Sequence, residues 1–580
     1  MKTLECKQVY LSLPPVLGEG DVVSLDLELS GLREEQLHRP AGKFVSLACS
    51  FDGETAYLIE DDSDIPQFLE NISKATWVFH NATFDIAHTR RWSVLNERPI
   101  RDTMLIEKIL FSDYYDNFGL NDLVRRYLGC YMEKDVRKEF HAHEGKMTQE
   151  QIDYAALDVI GTWLVDREQQ KLVEDIDRRV WEKIDMPTVW ISVGLSGFPV
   201  DVKKWMSISE THKAKKEEIE AELGKKYGHV EKKMSGRGKN KIEVEEFIPF
   251  NPASPAQVLK LLNSHGIPVE STGDEVLAPY ADKPLVATIL DYRNAAKKFS
   301  TYGEDYLKFV EPDGKIYSSL NVLGASTGRM SSRSPNMQQI PRGQEYRECF
   351  IAGQGKKLII ADYSSQEPRI FAYLTQDPKL IEIINSGQDI YCAVADFAFG
   401  EKITKKDKER RNQIKSLVLG LMYGLSPYGF AIQNEVELEV AQEDFDRFFA
   451  AFPKAANWVK QKQSVNTKFT TTLLGRKCHL HPYNSQWKRN ALNNPIQGSG
   501  SDMLKLAMRE FKRGCIADFG EDRVGMIMPV HDEIVAWCDE SIAEDVRKCL
   551  EDTMVSVAEK MHKGIKANVE AHIADSWAEK

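Results

Sequence analysis

Alternating hydrophobic and polar positions close to the N-terminus predict a β-strand with two different faces. Successive side chains of a strand point to opposite sides. In the segment from Val22 to Leu29, three leucines therefore share one face, while Asp26 and Glu28 share the other. A solvent-facing acidic strand would explain this pattern on its own. Two neighbouring acids on one face repel each other unless a cation lies between them, so a metal site is the competing interpretation.

The next apolar run leads into a second acid. The segment from Trp77 to Phe79 is typical of a strand, and Asn81 follows it. Asp85 falls about one turn into the helix that we expect next. An acid in this place carries only a weak signal when it is considered alone.

A third acid lies on a predicted helix. Thr148 and Gln151 have the spacing of a capping box, which predicts that a helix begins there. Tyr154 and Asp158 are four residues apart, so they share a face of this helix. Asp158 would also fit the polar side of an ordinary amphipathic helix.

Towards the C-terminus, the hydrophobic pattern predicts two further strands that end at acids. Leu358 to Ala361 is a short apolar run of the buried-strand type, and Asp362 stands at its end. Later, two apolar runs flank a polar turn of His531, Asp532 and Glu533, which predicts a hairpin. Acids at strand ends and turns are also common without any function.

A helix with a basic stripe is predicted between these two acids. Arg411, Lys415, Leu419 and Tyr423 are spaced by four, so they follow one helix face. The stripe rises about 18 Å, which is similar to the length of an extended nucleoside triphosphate. Gly424 follows at a plausible helix end. Basic residues on a helix usually form a solvated face, but the apolar residues 417–422 argue against that interpretation here.

The order of these patterns predicts several domains in a chain of 580 residues. Residues up to about Glu174 alternate strand-like and helix-like patterns, which predicts an α/β domain. A charged helical stretch from Asp166 to Lys183 leads into residues that are mostly helical in pattern as far as Val310. A Gly/Ser-rich passage from Gly324 to Pro335 precedes the strand that ends at Asp362.

Composition argues against a membrane protein and against a disulfide framework. The chain is 42% hydrophobic and 28% charged, as in ordinary folded domains. It contains no apolar run long enough to span a bilayer, and its N-terminus lacks the apolar core of a signal peptide. The nine cysteines are scattered and form no CxxC pair. We therefore expect a protein of the reducing cytoplasm.

The formal net charge of −12, taken alone, argues against a nucleic-acid binder. Net charge averages over all faces of a protein, however. A basic, glycine-containing segment runs from Lys225 to Lys241. It could touch phosphates as a mobile tip, contact a partner protein, or be a solvated loop. The excess of acid elsewhere is compatible with carboxylates that hold metal ions.

Together, the three N-terminal acidic segments resemble the 3′–5′ exonuclease domains that proofread for polymerases. DxE on a strand, NxxxD after a second strand and YxxxD on a later helix occur in the family's order. The resemblance implies a ribonuclease H-like domain over residues 1–174, in which Tyr154 helps to position the attacking water. It also implies that four carboxylates hold two divalent metals, namely Asp26, Glu28, Asp85 and Asp158.

The string DYSSQEPR, which begins at Asp362, resembles motif A of family A DNA polymerases, the family of the bacterial DNA polymerase I large fragment. The resemblance implies that Asp362 binds both catalytic metals. It implies that Glu367 lies beneath the incoming sugar and excludes a 2′-hydroxyl. Proline is tolerated in the first turn of the helix expected here. The departures from the usual string are Ser365, Gln366 and Pro368.

The basic stripe resembles motif B of the same family. This implies that Arg411 and Lys415 clamp the triphosphate, with Lys415 also a candidate proton donor to pyrophosphate, and that Tyr423 guards the templating position. Leu419 departs from the usual Phe or Tyr, so discrimination against chain terminators stays open. Tyr391 replaces the usual His and would offer a phosphate one hydrogen bond without a positive charge.

The polar hairpin turn resembles motif C. This implies that Asp532 is the second acid of the metal site, that His531 touches the primer end and that Glu533 has a supporting role. Two further segments resemble the family's TGRLSS…PNLQNIP and RxxxNxPxQGxxAD strings. They imply contacts to template–primer DNA from Arg329, Arg489, Asn493 and Gln497.

The resemblance covers the chain from Asp26 to about Trp577 and implies a multidomain α/β and α+β protein. An exonuclease domain would be followed by a right-hand polymerase. We expect a linker helix and thumb over residues 175–310, a palm over 311–372 and 489–580, and fingers over 373–488. The implied activity is template-directed extension of a primer by dNTPs with 3′–5′ proofreading.

The resemblance also implies cofactors and partners. We expect two Mg²⁺ ions at each site, with Mn²⁺ as a substitute, and a monomer that binds primer–template DNA and dNTPs without a membrane. No 5′-nuclease domain is expected before the exonuclease segment, an arrangement that resembles phage replicative polymerases in a bacterial cytoplasm. Fidelity, strand displacement, host and any processivity factor or helicase stay open.

Three alternatives belong to other functional classes. A single-subunit RNA polymerase would share motifs that resemble A, B and C, but Glu367 and the N-terminal acids count against it. An exonuclease with a non-catalytic C-terminal binding region would not need Asp532. A non-catalytic DNA-binding protein would need none of the acids at either site.

Overall fold

The protein is represented by a computed structural model. The structure describes residues 2–33, 40–92, 95, 97–132, 135–235, 242–341, 343–464, 467–481 and 483–579. Within these residues, no helix combines the length and apolar character needed to cross a membrane.

The acidic strand predicted from alternating leucines lies inside a six-stranded mixed sheet. In chain order, the first region contains β1 (Lys2–Thr3), β2 (Gln8–Tyr10), β3 (Val22–Ser30), β4 (Lys43–Ser50), β5 (Thr55–Ile59), α1 (Ile65–Asn71), β6 (Thr76–Phe79), α2 (Ala82–Thr89), β7 (Ile100–Asp102), α3 (Thr103–Phe111), α4 (Leu120–Leu128), β8 (Cys130–Tyr131) and α5 (Gln149–Gln169). The spatial order of the sheet is β2-β5-β4-β3-β6-β7. The leucines of β3 are buried, as the alternation predicts.

Helix α5 packs across this sheet and begins where the capping box predicts. The Thr148 hydroxyl accepts a hydrogen bond from the Gln151 N–H, and the Gln151 side chain accepts one from the Thr148 N–H. The Ser24 hydroxyl on β3 donates to the Val159 carbonyl at 2.6 Å. These contacts fix the face of α5 that carries Asp158 against β3.

The second region is mostly helical as far as Val310, as its pattern predicts, and it also contains short strands. It contains α6 (Asp175–Val180), a π-helical turn (Trp181–Asp185), α7 (Met186–Val193), β9 (Phe198–Pro199), α8 (Val202–Tyr227), β10 (His229–Ser235), β11 (Ile242–Ile248), α9 (Pro255–Ser264), α10 (Asp274–Leu277), α11 (Pro284–Tyr302), β12 (Lys315–Ile316), β13 (Ser319–Asn321) and β14 (Ser331–Arg333). The stretch 166–183 is not one helix, because α5 ends at Gln169 and Glu174 caps a new helix.

The basic segment from Lys225 to Lys241 is only partly a loop. It begins in the last turn of α8 and continues as β10, which pairs with β11 in antiparallel register. Residues 236–241 lie outside the described residues. The interpretation as a solvated loop is therefore wrong for His229–Ser235, which form a paired strand.

The third region surrounds a four-stranded antiparallel sheet of order β18-β19-β15-β20. It contains α12 (Gln344–Arg347), β15 (Lys356–Tyr363), α13 (Gln366–Thr375), α14 (Pro378–Asn385), α15 (Ile390–Val394), α16 (Lys408–Met422), α17 (Pro427–Asn434), α18 (Leu438–Ala451), α19 (Pro453–Ser464), β16 (Phe469–Thr471), β17 (Lys477–His479), α20 (Trp487–Phe511), α21 (Ala517–Phe519), β18 (Val524–Val530), β19 (Glu533–Asp539), α22 (Ala543–Met561) and β20 (Val569–Ala574). Helices α20 and α22 pack together and cover this sheet, and one continuous apolar core extends from them into α13, α16 and α18.

Two candidate carboxylate sites

The N-terminal acids converge where β3 meets α5. Asp26 and Glu28 project from the face of β3 opposite to its buried leucines, and Asp158 projects from α5. Oxygens of these three carboxylates lie within 4.8 Å of one another. We call these three residues the N-terminal cluster. Oxygen ligands of this kind suit a hard divalent cation such as Mg²⁺.

Asp85 lies beside the N-terminal cluster but bonds to the backbone. It is buried on α2, and its carboxylate accepts a hydrogen bond from the Leu27 N–H at 3.0 Å. Burial raises the pKa of Asp85 well above its usual value, and the nearby charge of Asp26 raises it further. A cation at the cluster would therefore stabilise the charged form of Asp85 as well.

Asp102 is a supporting residue that the sequence analysis missed. Its carboxylate accepts from the N–H groups of Asn81, Ala82 and Leu105 at 3.2, 2.7 and 3.0 Å. It therefore ties the start of α2, which carries Asp85, to the start of α3. The available signal was an aspartate directly before an apolar helical run, which is typical of an N-cap.

Tyr154 occupies α5 one turn before Asp158. Its side chain is buried, and its ring lies 5.6 Å from that of Phe140 between centroids. The helix therefore brings the predicted tyrosine to the same side of the domain as the N-terminal cluster.

Three acids of the C-terminal region, Asp362, Asp532 and Glu533, lie at one end of the paired strands β15 and β19. Asp362 pairs opposite Glu533 in the antiparallel register of these strands. The Tyr363 N–H donates to the Asp532 carbonyl oxygen at 3.3 Å. His531 turns the chain with a left-handed φ of 58°. The two acids that are distant in sequence, Asp362 and Asp532, thus lie on hydrogen-bonded neighbouring segments.

Glu533 has a protein partner that the sequence analysis missed. It is buried, and its carboxylate accepts a hydrogen bond from the indole N–H of Trp577 at 2.8 Å. The Trp577 ring is fully buried, and the Arg347 guanidinium lies 4.2 Å from its centroid. Nothing in the local sequence around Trp577 signals this pairing across the sheet.

Glu367 joins residues from three separate segments. It lies in the first turn of α13, where its carboxylate accepts from the Tyr423 hydroxyl and forms an ion pair with Arg329 at 2.8 Å. Burial raises the pKa of Glu367, and Arg329 opposes that shift. The structure thus unites three residues that the sequence analysis named independently. We call Asp362, Glu367, Asp532 and Glu533 the C-terminal acids.

The basic stripe of α16 begins with an internal ion pair. Arg411 bonds to Asp389, the N-cap of α15, at 2.7 Å, and this hydrogen bond raises the pKa of Arg411. Arg411 and Lys415 lie 5.3 and 5.9 Å from the ring centroid of the buried Tyr391. Leu419 packs at the edge of the apolar core. Both cations therefore stand on one side of α16.

Helix α20 carries the remaining predicted DNA contacts along one face. The Arg489 guanidinium donates to the Tyr423 carbonyl at 3.4 Å, next to the end of α16. Asn493 and Gln497 follow at intervals of four residues and are partly exposed. The face of α20 that begins beside Tyr423 therefore remains open to a ligand along two further turns.

A buried ion-pair network underlies this region. Arg476 bonds to Asp185 at 2.7 and 3.0 Å and to Asp502 at 2.7 Å, and Lys505 bonds to Asp185 at 2.7 Å. Burial lowers the pKa of Lys505 to about 8. A Cβ atom at Gly328 would lie 2.8 Å from Arg476, so this network also supports the loop that carries Arg329.

Comparisons with known proteins divide the chain in the same order. The family model for DNA polymerase family A matches residues 214–579, and the model for 3′–5′ exonucleases matches residues 5–174. DNA polymerase I of Aquifex aeolicus is 29% identical over 577 residues, which cover 91% of this chain and 92% of that protein.

Other relatives are longer than this chain. DNA polymerase I of Chloroflexus aurantiacus is 33% identical over 358 residues, which cover 57% of this chain and 38% of that protein. DNA polymerase I of Mycobacterium tuberculosis is 28% identical over 562 residues, which cover 90% and 60%, respectively. The solved structure of the POL domain of Pol1 from M. smegmatis, in complex with DNA primer–template and dNTP, superposes with a TM-score of 0.80 at 23% identity. The match covers 98% of this chain and 99% of that one.

Proposed function

The chain belongs to DNA polymerase family A and carries a 3′–5′ exonuclease domain, and from this premise we propose that its two carboxylate sites are two separate reaction centres. The C-terminal acids serve primer extension, and the N-terminal cluster serves excision from a primer 3′ end. The observation that carries the proposal is the strand register that joins Asp362 to the motif C turn.

At both centres, the protein's own contribution is to gather oxygen ligands. Asp362 and Asp532 would hold two cations in the palm, and the N-terminal cluster with Asp85 would hold two at the excision site. Divalent cations bound in this way lower the pKa of an attacking hydroxyl or water and stabilise the departing oxygen. We propose Mg²⁺ at both sites, with Mn²⁺ as a substitute, because the ligands are carboxylates.

The basic stripe of α16 would bind the incoming dNTP. Arg411 and Lys415 present two cations on one helix face, beside the ring of Tyr391. Arg411 is bonded to Asp389 in this structure. The triphosphate would therefore have to replace Asp389 as the partner of Arg411, while Lys415 can also donate a proton to the departing pyrophosphate. Tyr391 and Leu419 would line the nucleotide site.

Together, Glu367, Tyr423 and Arg329 would select the sugar and monitor the primer terminus. Glu367 is partly buried between Tyr423 and Arg329, so a ribose 2′-hydroxyl would meet a filled, hydrogen-bonded wall. Arg329, which is paired with Glu367, would contact the minor groove of a newly formed pair. Minor-groove acceptors occupy similar positions in all correct pairs, so such a contact senses pairing without reading sequence. The other proposed DNA contacts are His531, Arg489, Asn493 and Gln497.

At the excision centre, a frayed 3′ end would enter as a single strand. The N-terminal cluster and Asp85 would surround the scissile phosphate through their cations, and Tyr154 would help to orient the attacking water.

Glu533 takes no part in excision. We propose that it positions β19 in the palm through its hydrogen bond with Trp577. We further propose that the protein is a monomeric replicative enzyme of a phage, acting in a bacterial cytoplasm.

A primer-extension assay on matched and mismatched ends tests the proposal. The wild-type protein should extend a matched primer with dNTPs and should remove a mismatched nucleotide before it extends the primer. Asp26→Ala should lose excision and keep extension, while Asp532→Ala should lose extension and keep excision. Equal loss of both activities in either variant would refute two separate centres. Preference for NTPs over dNTPs would refute the polymerase class.

A further inference from the structure

One ring of the exonuclease domain and four rings of residues 469–483, in and after the β16–β17 hairpin, form a continuous path. The rings of Phe469 and His479 lie 5.9 Å apart between centroids, and those of His479 and Tyr114 lie 6.5 Å apart. The ring of Tyr114 lies 5.5 Å from that of His481, which lies 5.7 Å from that of Tyr483. We call these five residues the aromatic ladder.

The ladder is too exposed to be explained by packing between the domains. Tyr483 is 91% exposed, Tyr114 is 48% exposed and Phe469 is 40% exposed. Burying an aromatic side chain is a large favourable term in folding; Tyr483 forgoes most of it, and Tyr114 and Phe469 forgo about half. Exposed aromatic rings in a row have another physical use, because each offers a flat face on which a nucleobase can stack.

Four of the five rings of the ladder lie in a basic part of the sequence, although Asp113 directly precedes the fifth ring, Tyr114. Residues 447–501 contain nine lysine and arginine residues and no aspartate or glutamate, in a chain whose formal net charge is −12. Lys468, Lys488 and Arg489 are exposed members of this set next to the ladder in sequence. Lys477 Nζ lies 5.8 Å from the Phe469 ring centroid, although it is also paired with Glu174 and Asp177.

The aromatic ladder lies close to helix α20. The Asn490 side chain on α20 donates to Asp113, the residue before Tyr114, at 3.4 Å. The preceding residue, Arg489, donates to the carbonyl of Tyr423 at the end of α16. The middle of the ladder, at Tyr114, therefore adjoins the face of α20 beside the proposed nucleotide site, and Tyr114 itself belongs to the exonuclease domain.

We propose that the aromatic ladder binds single-stranded DNA by base stacking, with the neighbouring cations on its phosphates. This inference rests on the proposed function, which supplies two sources of single strand. One is the unpaired template ahead of the primer, and the other is an unpaired primer 3′ end on its way to the N-terminal cluster. Both present the same chemistry, a flexible strand of exposed bases.

Fluorescence anisotropy with the full chain tests the ladder. The probe is a fluorescein-labelled oligothymidine of about 12 nucleotides, within the usual range of site sizes, in EDTA so that it is not degraded. The double variant Tyr114→Ala/Tyr483→Ala should bind the probe at least about tenfold more weakly, since stacking on each ring is worth roughly 5- to 150-fold. Tyr114→Phe/Tyr483→Phe, which keeps the rings, should bind like the wild type.

Tyr10→Ala is the matched control. Tyr10 is 40% exposed on β2, at the edge of the six-stranded sheet opposite to β7 and the following α3. It should leave affinity unchanged. If the Ala/Ala variant binds like the wild type, or if the Tyr10→Ala control loses as much affinity, the inference is wrong. A lower unfolding temperature with unchanged affinity would identify the ladder as packing between domains and would also overturn it.

Two further DNA substrates distinguish the two sources of single-stranded DNA. One has about eight unpaired template nucleotides beyond a paired primer end. The other has about three unpaired nucleotides at the primer end and no unpaired template nucleotides. Loss of affinity confined to the first assigns the ladder to the template, and loss confined to the second assigns it to the primer. Loss on neither overturns the inference. Extension of the first DNA by the wild-type protein, measured separately with Mg²⁺ and dNTPs, shows whether the proposed function holds.

Discussion

The N-terminal cluster and the C-terminal acids use the same ligand type in different surroundings. In the cluster, acids from β3 and α5 face one another with oxygens within 4.8 Å. In the palm, the described residues show no such group of three, and two of the four acids are bonded to neutral or basic protein groups. Glu367 binds Arg329 and Tyr423, and Glu533 binds Trp577.

This difference suggests that the two centres are completed in different ways. One domain supplies every acid of the cluster, so we expect the cluster to bind cations before DNA arrives. The palm supplies Asp362 and Asp532 from two neighbouring strand ends, and the phosphates of an incoming dNTP would provide the remaining oxygens. Variants at matched positions can test whether the centres are independent and whether only one binds metal without substrate.

The largest expected effect is on extension. Asp362→Asn should reduce the rate of single-nucleotide addition by roughly a thousandfold or more, because metal-ion stabilisation of charge contributes several kcal/mol to the barrier. Excision of a single strand should remain. Glu570→Gln is the control, since Glu570 pairs opposite Asp362 on the other side of β15 and is exposed. Extension within tenfold of the wild-type rate would remove Asp362 from the metal site.

The opposite result, loss of excision without loss of extension, is expected from a variant of Asp158 on α5. Asp158→Asn should slow excision of a labelled single strand by roughly a hundredfold, because one ligand of the cations is lost while Asp26, Glu28 and Asp85 remain. Extension should be unchanged. Asp153→Asn, an exposed acid on the same helix, should have no effect on either rate. If the rate of extension falls by a similar factor, the two centres are coupled, and the proposal of two separate centres is wrong.

A smaller effect is expected at the wall formed by Glu367. Glu367→Ala opens space beneath the sugar and leaves Arg329 without its ion-pair partner, so the preference for dCTP over CTP should fall by about tenfold or more. Tyr423→Phe keeps the wall and loses one hydrogen bond, so the same ratio should change only severalfold. The ratio of kcat/KM for dCTP to kcat/KM for CTP measures this preference in both variants. Unchanged selectivity in Glu367→Ala would mean that another residue excludes the 2′-hydroxyl.

The sequence was sufficient where local patterns determine local structure. The alternating leucines of β3, the capping box at Thr148 and the apolar run before Asp362 each predicted an element that the structure contains. The fold class, α/β followed by a polymerase of family A, is confirmed by the family models. The domain boundaries and the roles of individual site residues stay predictions.

What the sequence could not provide is pairing between distant segments. No local pattern links Trp577 to Glu533 or Asp389 to Arg411, because each pair forms only when the third region folds. The buried network of Arg476 was missed for the same reason, since its partners Asp185 and Asp502 are brought together by separate helices. Such contacts depend on tertiary packing, which a single sequence does not report.

The smallest expected effect gives the sharpest test of the difference between the centres. Three carboxylates with oxygens within 4.8 Å repel one another without cations, so Mg²⁺ alone should stabilise the exonuclease domain. At a concentration about ten times the dissociation constant, binding adds about 1.4 kcal/mol, which corresponds to a rise of a few degrees in the unfolding temperature. Differential scanning calorimetry in EDTA and in Mg²⁺ measures this rise. Asp158→Asn should unfold at a higher temperature than the wild type in EDTA but gain less from Mg²⁺, because it relieves repulsion and removes a ligand. Asp362→Asn should show the full wild-type rise, since the palm needs a nucleotide to complete its site. If Asp362→Asn instead loses the rise, the palm binds metal without substrate, and the proposed difference between the two centres is wrong.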